Sequence, residues 1–188
     1  MNTVEARLKK RWFPILTERL TLREFAENDY DAIHAYASDI ETIRYMEWGP
    51  NTPDMTRERL DLTLKDQTVW PRDEVNLAVE VVETAQLIGA VRLTLDGKGG
   101  ADFGYCYGSA FWRNGYGYEA ASALVATGFN VLNLHRMWAT CDARNQGSIA
   151  VLEKIGMRRE DTLRRNLKVR DGWRDTHIYA LLAEERGA

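Results

Sequence analysis

The stretch from residue 105 to residue 129, YCYGSAFWRNGYGYEAASALVATGF, limits what this chain can fold into more than any other. It reads as a short apolar strand, a loop, a turn punctuated by Gly115 and Gly117, and then a helix. With no side chains at the two glycines, the backbone N–H groups of residues 113 to 118 can point outward unobstructed. The first N–H groups of any helix lack internal partners and sit at the positive end of its dipole. A bare helix start of this kind is an anion site, and phosphate is the usual anion. The glycines alone would equally suit an ordinary helix start after a flexible turn. Tyr118, Ala121, Leu124, Val125, Phe129 and Leu132 recur at spacings near three and four, so one stripe of the helix faces a core.

Three phosphate-binding motifs compete for this turn. A P-loop needs Gly-x-x-x-x-Gly-Lys-Ser/Thr, and the chain has no such string. Gly115-x-Gly117-x-x-Ala120 superficially satisfies a dinucleotide fingerprint. That fingerprint starts at the very end of its strand and in a first βαβ unit, whereas here seven residues separate Tyr107 from Gly115 and a long segment precedes both. The third motif is x-x-x-Gly-x-Gly/Ala opening a helix after an apolar strand and a short loop. WRNGYG, residues 112 to 117, resembles that motif of the GNAT acetyltransferases in spacing and position. Many members carry Arg or Gln where this chain has Trp112. The tryptophan is similar to the ribosomal-protein N-terminal acetyltransferase branch (RimJ/RimL type), in which Trp-Gly-x-Gly-Tyr-Ala strings are common.

A second block, ATCDARNQGSIAVLEKIGMRRE at residues 139 to 160, resembles the Asn-x-x-Ser…Glu-Lys-x-Gly-Phe block of the same branch, with Met157 in place of Phe. TERLTLRE, residues 17 to 24, resembles the branch's opening strand. The resemblance thus runs from residue 17 to residue 182, and the two main blocks stand in the family's order.

The rest of the chain bounds the answer. At 188 residues it is long enough to bury a full core. We expect one N-acetyltransferase domain over residues 1–188, its core at about 15–184, with residues 1–14 a loose arm or short helix. A net charge of −3 argues against electrostatic binding of nucleic acid. No run is long and apolar enough for a membrane span, and the N-terminus lacks a signal-peptide core. Two cysteines, Cys106 and Cys141, suggest a reduced, cytoplasmic compartment rather than a disulfide framework. His34, His135 and His177 are isolated, so no metal site is expected. No Gly-x-Ser-x-Gly elbow is present.

Alternation and capping signals predict strands at residues 19–25, 76–82, 87–95, 102–107, 136–141, 157–167 and 176–182. They predict helices from Asn28 or Asp29 to Ala37, from Asp54 or Thr56 to Gln67, after Gly117, and over residues 146–155 with Gly156 as a left-handed cap. That order is α+β: a mixed, mostly antiparallel, seven-stranded sheet with helices on both faces. It is also the order that the GNAT resemblance implies.

The resemblance implies acetyl transfer from acetyl-coenzyme A to an amine by direct attack on the thioester. It implies that the pyrophosphate lies on the turn formed by Trp112, Arg113, Asn114, Gly115, Tyr116, Gly117 and Tyr118. It also implies that pantetheine amides pair with the backbone of Tyr105, Cys106 and Tyr107 like an added strand. One N–H of that strand would face the thioester carbonyl as an oxyanion donor, a role worth roughly 3 kcal/mol in other acyl-transfer enzymes. Asn145 can cap the helix that follows it; the resemblance adds a contact with the pantetheine arm. Ser148 can be a first-turn helix residue bonded locally; the resemblance places it near the thioester sulfur as a proton donor, with Tyr105 and Tyr107 as alternatives. Only a neutral amine attacks, and an α-amine with a pKa of roughly 8 needs less help than a lysine at about 10.4. Asp102, Glu80 and Asp142 are the candidate bases. The residues between the first two helices line the acceptor pocket in the family, though they also suit a plain packed loop. The acceptor is a small-molecule amine or a protein N-terminus, and the protein a monomer or homodimer. A non-catalytic acyl-coenzyme A or nucleotide sensor is the alternative class.

Overall fold

The structure is a computed structural model and describes residues 12 to 186. Its strands are β1 (Ile15–Leu16), β2 (Leu20–Arg23), β3 (Glu74–Val81), β4 (Gln86–Leu95), β5 (Gly100–Tyr107), β6 (Arg136–Asp142), β7 (Arg158–Val169) and β8 (Gly172–Leu182). They form one eight-stranded sheet in the order β1-β2-β3-β4-β5-β6-β8-β7. Every neighbouring pair is antiparallel except β5 and β6. The eighth strand, beyond the seven expected, is β1. Its two residues pair with Thr21 and Leu22, too short a run for alternation to reveal.

Four α-helices cover the sheet: α1 (Tyr30–Ser38), α2 (Pro53–Asp66), α3 (Tyr116–Asn130) and α4 (Gln146–Lys154). Strand alternation sends side chains to two faces. In β3, Val75, Leu77, Val79 and Val81 join the main core, where they meet α3 residues Ala120, Ala121, Leu124, Val125 and Phe129. Ala78, of opposite parity, joins a smaller core with Ile33 of α1 and Leu60 of α2. So α3 and α4 lie on one face and α1 and α2 on the other.

Two helix starts differ from expectation. Asp29 does not cap α1 through its side chain; its carboxylate holds Arg23 at 2.8 Å and the Ala26 N–H at 2.7 Å. Helix α2 starts at Pro53, with Thr52 as N-cap accepting from the Met55 N–H at 3.3 Å. Of the arm expected over residues 1–14, residues 1–11 lie outside the described residues. Phe13 is buried in the core and stacks on Trp70, centroids 6.3 Å apart, so the chain joins the core before Pro14.

Candidate active site

The parallel strands β5 and β6 pair only at their starts, where Gly100, Ala101 and Asp102 face Arg136, Met137 and Trp138. Beyond Asp102 they part. β5 stays on β4 to Tyr107, and β6 stays on β8 to Asp142. Which backbone groups face the resulting gap follows from the antiparallel rule. Gly108 donates to the Ile88 carbonyl at 2.9 Å and Asp96 to the Gly100 carbonyl at 3.1 Å, so the even-numbered residues of β5 bond to β4. The N–H and C=O groups of Tyr105 and Tyr107 therefore face the gap, while the Phe103 N–H still belongs to the last rung with β6. The Tyr107 carbonyl is already occupied: Trp112 donates its indole N–H to it at 2.7 Å. Trp112 thus braces the strand end that leads into the turn, while the Cys106 N–H and C=O belong to the β4 ladder.

The glycine turn stands at the open end of the gap. Arg113 and Gly115 both adopt positive φ, 64° and 80°, and left-handed residues alternating in this way turn successive N–H groups toward one side. Gly115 occupies the N-cap position of α3 and offers no side-chain cap. Glu119 is the first helix residue to donate backward, to the Gly115 carbonyl at 3.1 Å. None of the N–H groups of residues 113 to 118 donates to a protein acceptor among the described residues. The bare helix start expected from the glycines is present.

Arg19, which the sequence did not single out, braces this turn. It donates to the Asn114 carbonyl at 3.0 Å, pairs with Glu119 at 2.6 Å and lies over the Tyr116 ring at 4.8 Å. Thr17 donates to the same Glu119 carboxylate at 2.6 Å. Burial alone would raise the Glu119 carboxyl pKa; the Thr17 and Arg19 bonds outweigh it and hold it below the usual range. The partners are about a hundred residues apart in sequence, so no local pattern announces them.

On the far side of the gap, Asn145 caps α4 by accepting from the Ser148 N–H at 3.0 Å. The cap turns the Ser148 hydroxyl toward β5, where it lies 3.0 Å from the Tyr105 hydroxyl. Burial pushes the Tyr105 hydroxyl well above its usual range, against the bond from Ser148. It therefore stays protonated at any working pH. Burial also raises the Tyr107 hydroxyl, which is buried with no hydrogen-bond partner among the described residues.

The structure does not bring the carboxylate candidates to this pair. Asp102 points to the opposite face from Tyr105, as its even number requires, and pairs with Arg92. Burial raises its pKa, and Arg92 opposes the rise. Glu80 pairs with Arg23 at 2.7 Å. Asp142 is buried; burial would raise its pKa, but Arg144 at 2.7 Å outweighs this and lowers it.

Asn145→Ala separates the two roles of that side chain. Loss of the cap alone costs roughly 1 kcal/mol of stability, read as a lower urea midpoint. We expect in addition weaker coenzyme A binding by calorimetry, because the family resemblance implies a contact between the Asn145 side chain and the pantetheine arm. A less stable variant with unchanged affinity would limit Asn145 to the cap.

Comparison with known proteins agrees with this geometry. Residues 19–158 match the family model described as the Acetyltransferase (GNAT) domain. The uncharacterized N-acetyltransferase YnaD of Bacillus subtilis is 32% identical over 175 residues, covering 91% of this chain and 98% of YnaD. A GNAT-family acetyltransferase of Bacillus anthracis superposes with a TM-score of 0.80 at 32% identity, over 90% of this chain and 98% of that one. RimJ of Mycobacterium smegmatis, solved in complex with CoA-disulfide, shares the fold with a TM-score of 0.77 at 23% identity, over 90% of this chain and 84% of its own.

Proposed function

Since this chain belongs to the GNAT acetyltransferase family, an N-acetyltransferase that uses acetyl-coenzyme A, we propose that it acetylates a primary amine, either a protein N-terminal α-amine or a small-molecule amine, in the manner of the ribosomal-protein N-terminal branch. The observation that carries this reading is the gap between β5 and β6. It has bare N–H groups at one end and the Tyr105–Ser148 hydroxyl pair inside it.

The gap fits the donor's chemistry. The N–H groups of residues 113 to 118 would hold the pyrophosphate, with Arg113 adding a cation. The β5 edge at Tyr105 and Tyr107 would take the amide arm. The Tyr105 N–H is the candidate oxyanion donor, and the buried Tyr107 hydroxyl would gain a partner. Tyr105 and Ser148 are the candidate acids for the departing sulfur. Asp102 remains the proposed base only through intervening water, since it faces away from the pair.

We read residues 1–188 as one N-acetyltransferase domain, monomeric or homodimeric. The free thiols Cys106 and Cys141 support a cytoplasmic location. No helix among the described residues is long and apolar enough to cross a membrane.

Two measurements test the proposal. Acetyl-coenzyme A at about 100 times its dissociation constant should stabilise the fold by about 2.7 kcal/mol and raise the melting temperature, while NAD should not. No shift would overturn the donor assignment. A panel of peptides and amines with thiol-release detection should identify an acceptor; hydrolysis-level rates across the panel would favour the sensor class.

A further inference from the structure

The segment joining α1 to α2, residues 39 to 52, crosses the mouth of the gap on the face opposite α3 and α4. At one end it is tied to the β5 side. Asp39 accepts from the Ser109 hydroxyl at 2.6 Å, and Thr42 accepts from the Ser109 N–H at 2.8 Å. Ser109 lies two residues past the end of β5. At the other end the segment is tied to the tip of the β7–β8 hairpin, which belongs to the β6 side of the gap. Arg174, a buried arginine in β8, donates to the Tyr45 carbonyl at 3.3 Å and pairs with Glu47 at 3.3 Å.

The strongest tie on that side is Arg170. Its guanidinium donates to three backbone carbonyls of the segment: Trp48 at 3.0 Å, Gly49 at 2.5 Å, and Ile43. Among the described residues it has no carboxylate partner; the neighbouring Asp171 pairs with Arg144 instead, at 2.7 Å. An exposed arginine with no ion pair normally stays in water, because an ordered side chain loses rotamer freedom. Three carbonyls converging on one planar fork offset that loss, and they exist only if the segment keeps one backbone path. Apart from the Ser109 and Arg174 ties, that path is held by backbone bonds from Ile43 to Asp39 at 3.1 Å, Arg44 to Glu41 at 3.3 Å, Met46 to Ile43 at 2.9 Å and Asn51 to Ala37 at 2.9 Å. Ile43 is fully buried beneath it, while Trp48 is 41% exposed at its crest.

We propose that Arg170 is a positioning residue for the acceptor: from the hairpin tip it sets the path of residues 43 to 49, which wall the route by which an amine reaches the Tyr105–Ser148 pair. The inference rests on the acetyltransferase reading of the gap. It assigns the wall to the acceptor because the donor's N–H groups lie on the other face, at the start of α3. The same segment touches Ser109, between β5 and the glycine turn, so the acceptor wall and the donor turn share one support.

The test is Arg170→Ala, with Arg170→Lys as the conservative partner, assayed by steady-state kinetics with both substrates varied. We expect the acceptor KM of Arg170→Ala to rise about tenfold or more, as for loss of charge-assisted hydrogen bonds, with the acetyl-coenzyme A KM unchanged. Lysine, which keeps the charge but not the fork, should restore part of the loss. Hydrogen exchange should quicken at the Met46 and Asn51 amides in Arg170→Ala and not in the β3–β4 ladder. Unchanged acceptor KM, or an equal rise in both KM values, overturns the proposal. Should Arg170→Ala fail to fold, wild-type acceptor KM in Arg170→Lys overturns it equally. Wild-type protein that acetylates none of the amines defeats the acetyltransferase reading itself. Unchanged exchange at Met46 and Asn51 in an otherwise active enzyme defeats only the clamp.

Discussion

Replacing Ser148 with alanine is expected to lower kcat by about 100-fold or more while leaving the KM for acetyl-coenzyme A nearly unchanged. When the thioester breaks, the sulfur gains negative charge. The Ser148 hydroxyl sits in the first turn of α4, where the helix dipole favours a developing anion. Help of this kind exists in the transition state and hardly at all in the bound thioester, so it appears in turnover rather than in affinity. In the proposed mechanism the serine does not act alone. The Tyr105 hydroxyl, kept protonated by burial, lies 3.0 Å from it and can replace a proton that Ser148 passes on. Two groups in series behave as a unit. Tyr105→Phe should therefore show a loss of the same kind, and the double variant should be no worse than the poorer single. Steady-state kinetics of the three variants, with the best amine from the panel, decides the point. Multiplying losses would mean that the hydroxyls act independently, and near wild-type turnover in Ser148→Ala would leave Tyr105 as the sole acid.

The second large effect is expected at Gly117. Gly117→Val should weaken coenzyme A binding by about 100-fold or more, which is about 2.7 kcal/mol, without unfolding the protein. The geometry changes the reason suggested by the sequence alone. A Cβ at 117 would lie 3.4 Å from the Tyr107 ring and 3.7 Å from Val151 of α4. It would point into the cleft between α3, α4 and the end of β5 rather than straight out toward a phosphate. The Cβ itself fits at ordinary contact distance, and φ at 117 is not positive, so the fold tolerates it. We expect the two γ-methyls to crowd the space beside the bare N–H groups that the proposed donor site would use. Gly117→Ala should fall between wild type and valine. Calorimetric titration with coenzyme A, together with a thermal melt, separates lost affinity from lost fold. Unchanged affinity in a folded Gly117→Val protein would show that the turn is only structural.

The order of strands and helices was legible because it is written in local periodicity and caps. β3 and β4 alternate, Gly156 adopts φ 91°, and Asn145 caps α4 as its type suggests. The glycine turn was legible because it depends on what two residues lack. What escaped was set by distance along the chain. Arg19 meets Asn114 and Glu119, and Arg170 meets Trp48 and Gly49, across about a hundred residues or more; nothing near either arginine marks it apart from any surface cation. The parting of β5 from β6 escaped for a related reason. A strand reads the same whether its far edge is paired or bare, and only the register shows the ladder stopping at Asp102.

That early stop also bears on how a catalytic round ends. In the proposed arrangement, the bare turn and the open strand edge grip the nucleotide and the amide arm, and coenzyme A keeps both after its acetyl group has gone. Only the hydrogen bond to the thioester carbonyl distinguishes the loaded molecule from the spent one. One such bond is worth about 1 kcal/mol, less than a tenfold preference. Spent coenzyme therefore competes for the slot almost on equal terms, and the pace of acetylation follows the ratio of charged to uncharged coenzyme around the protein rather than the amount of either.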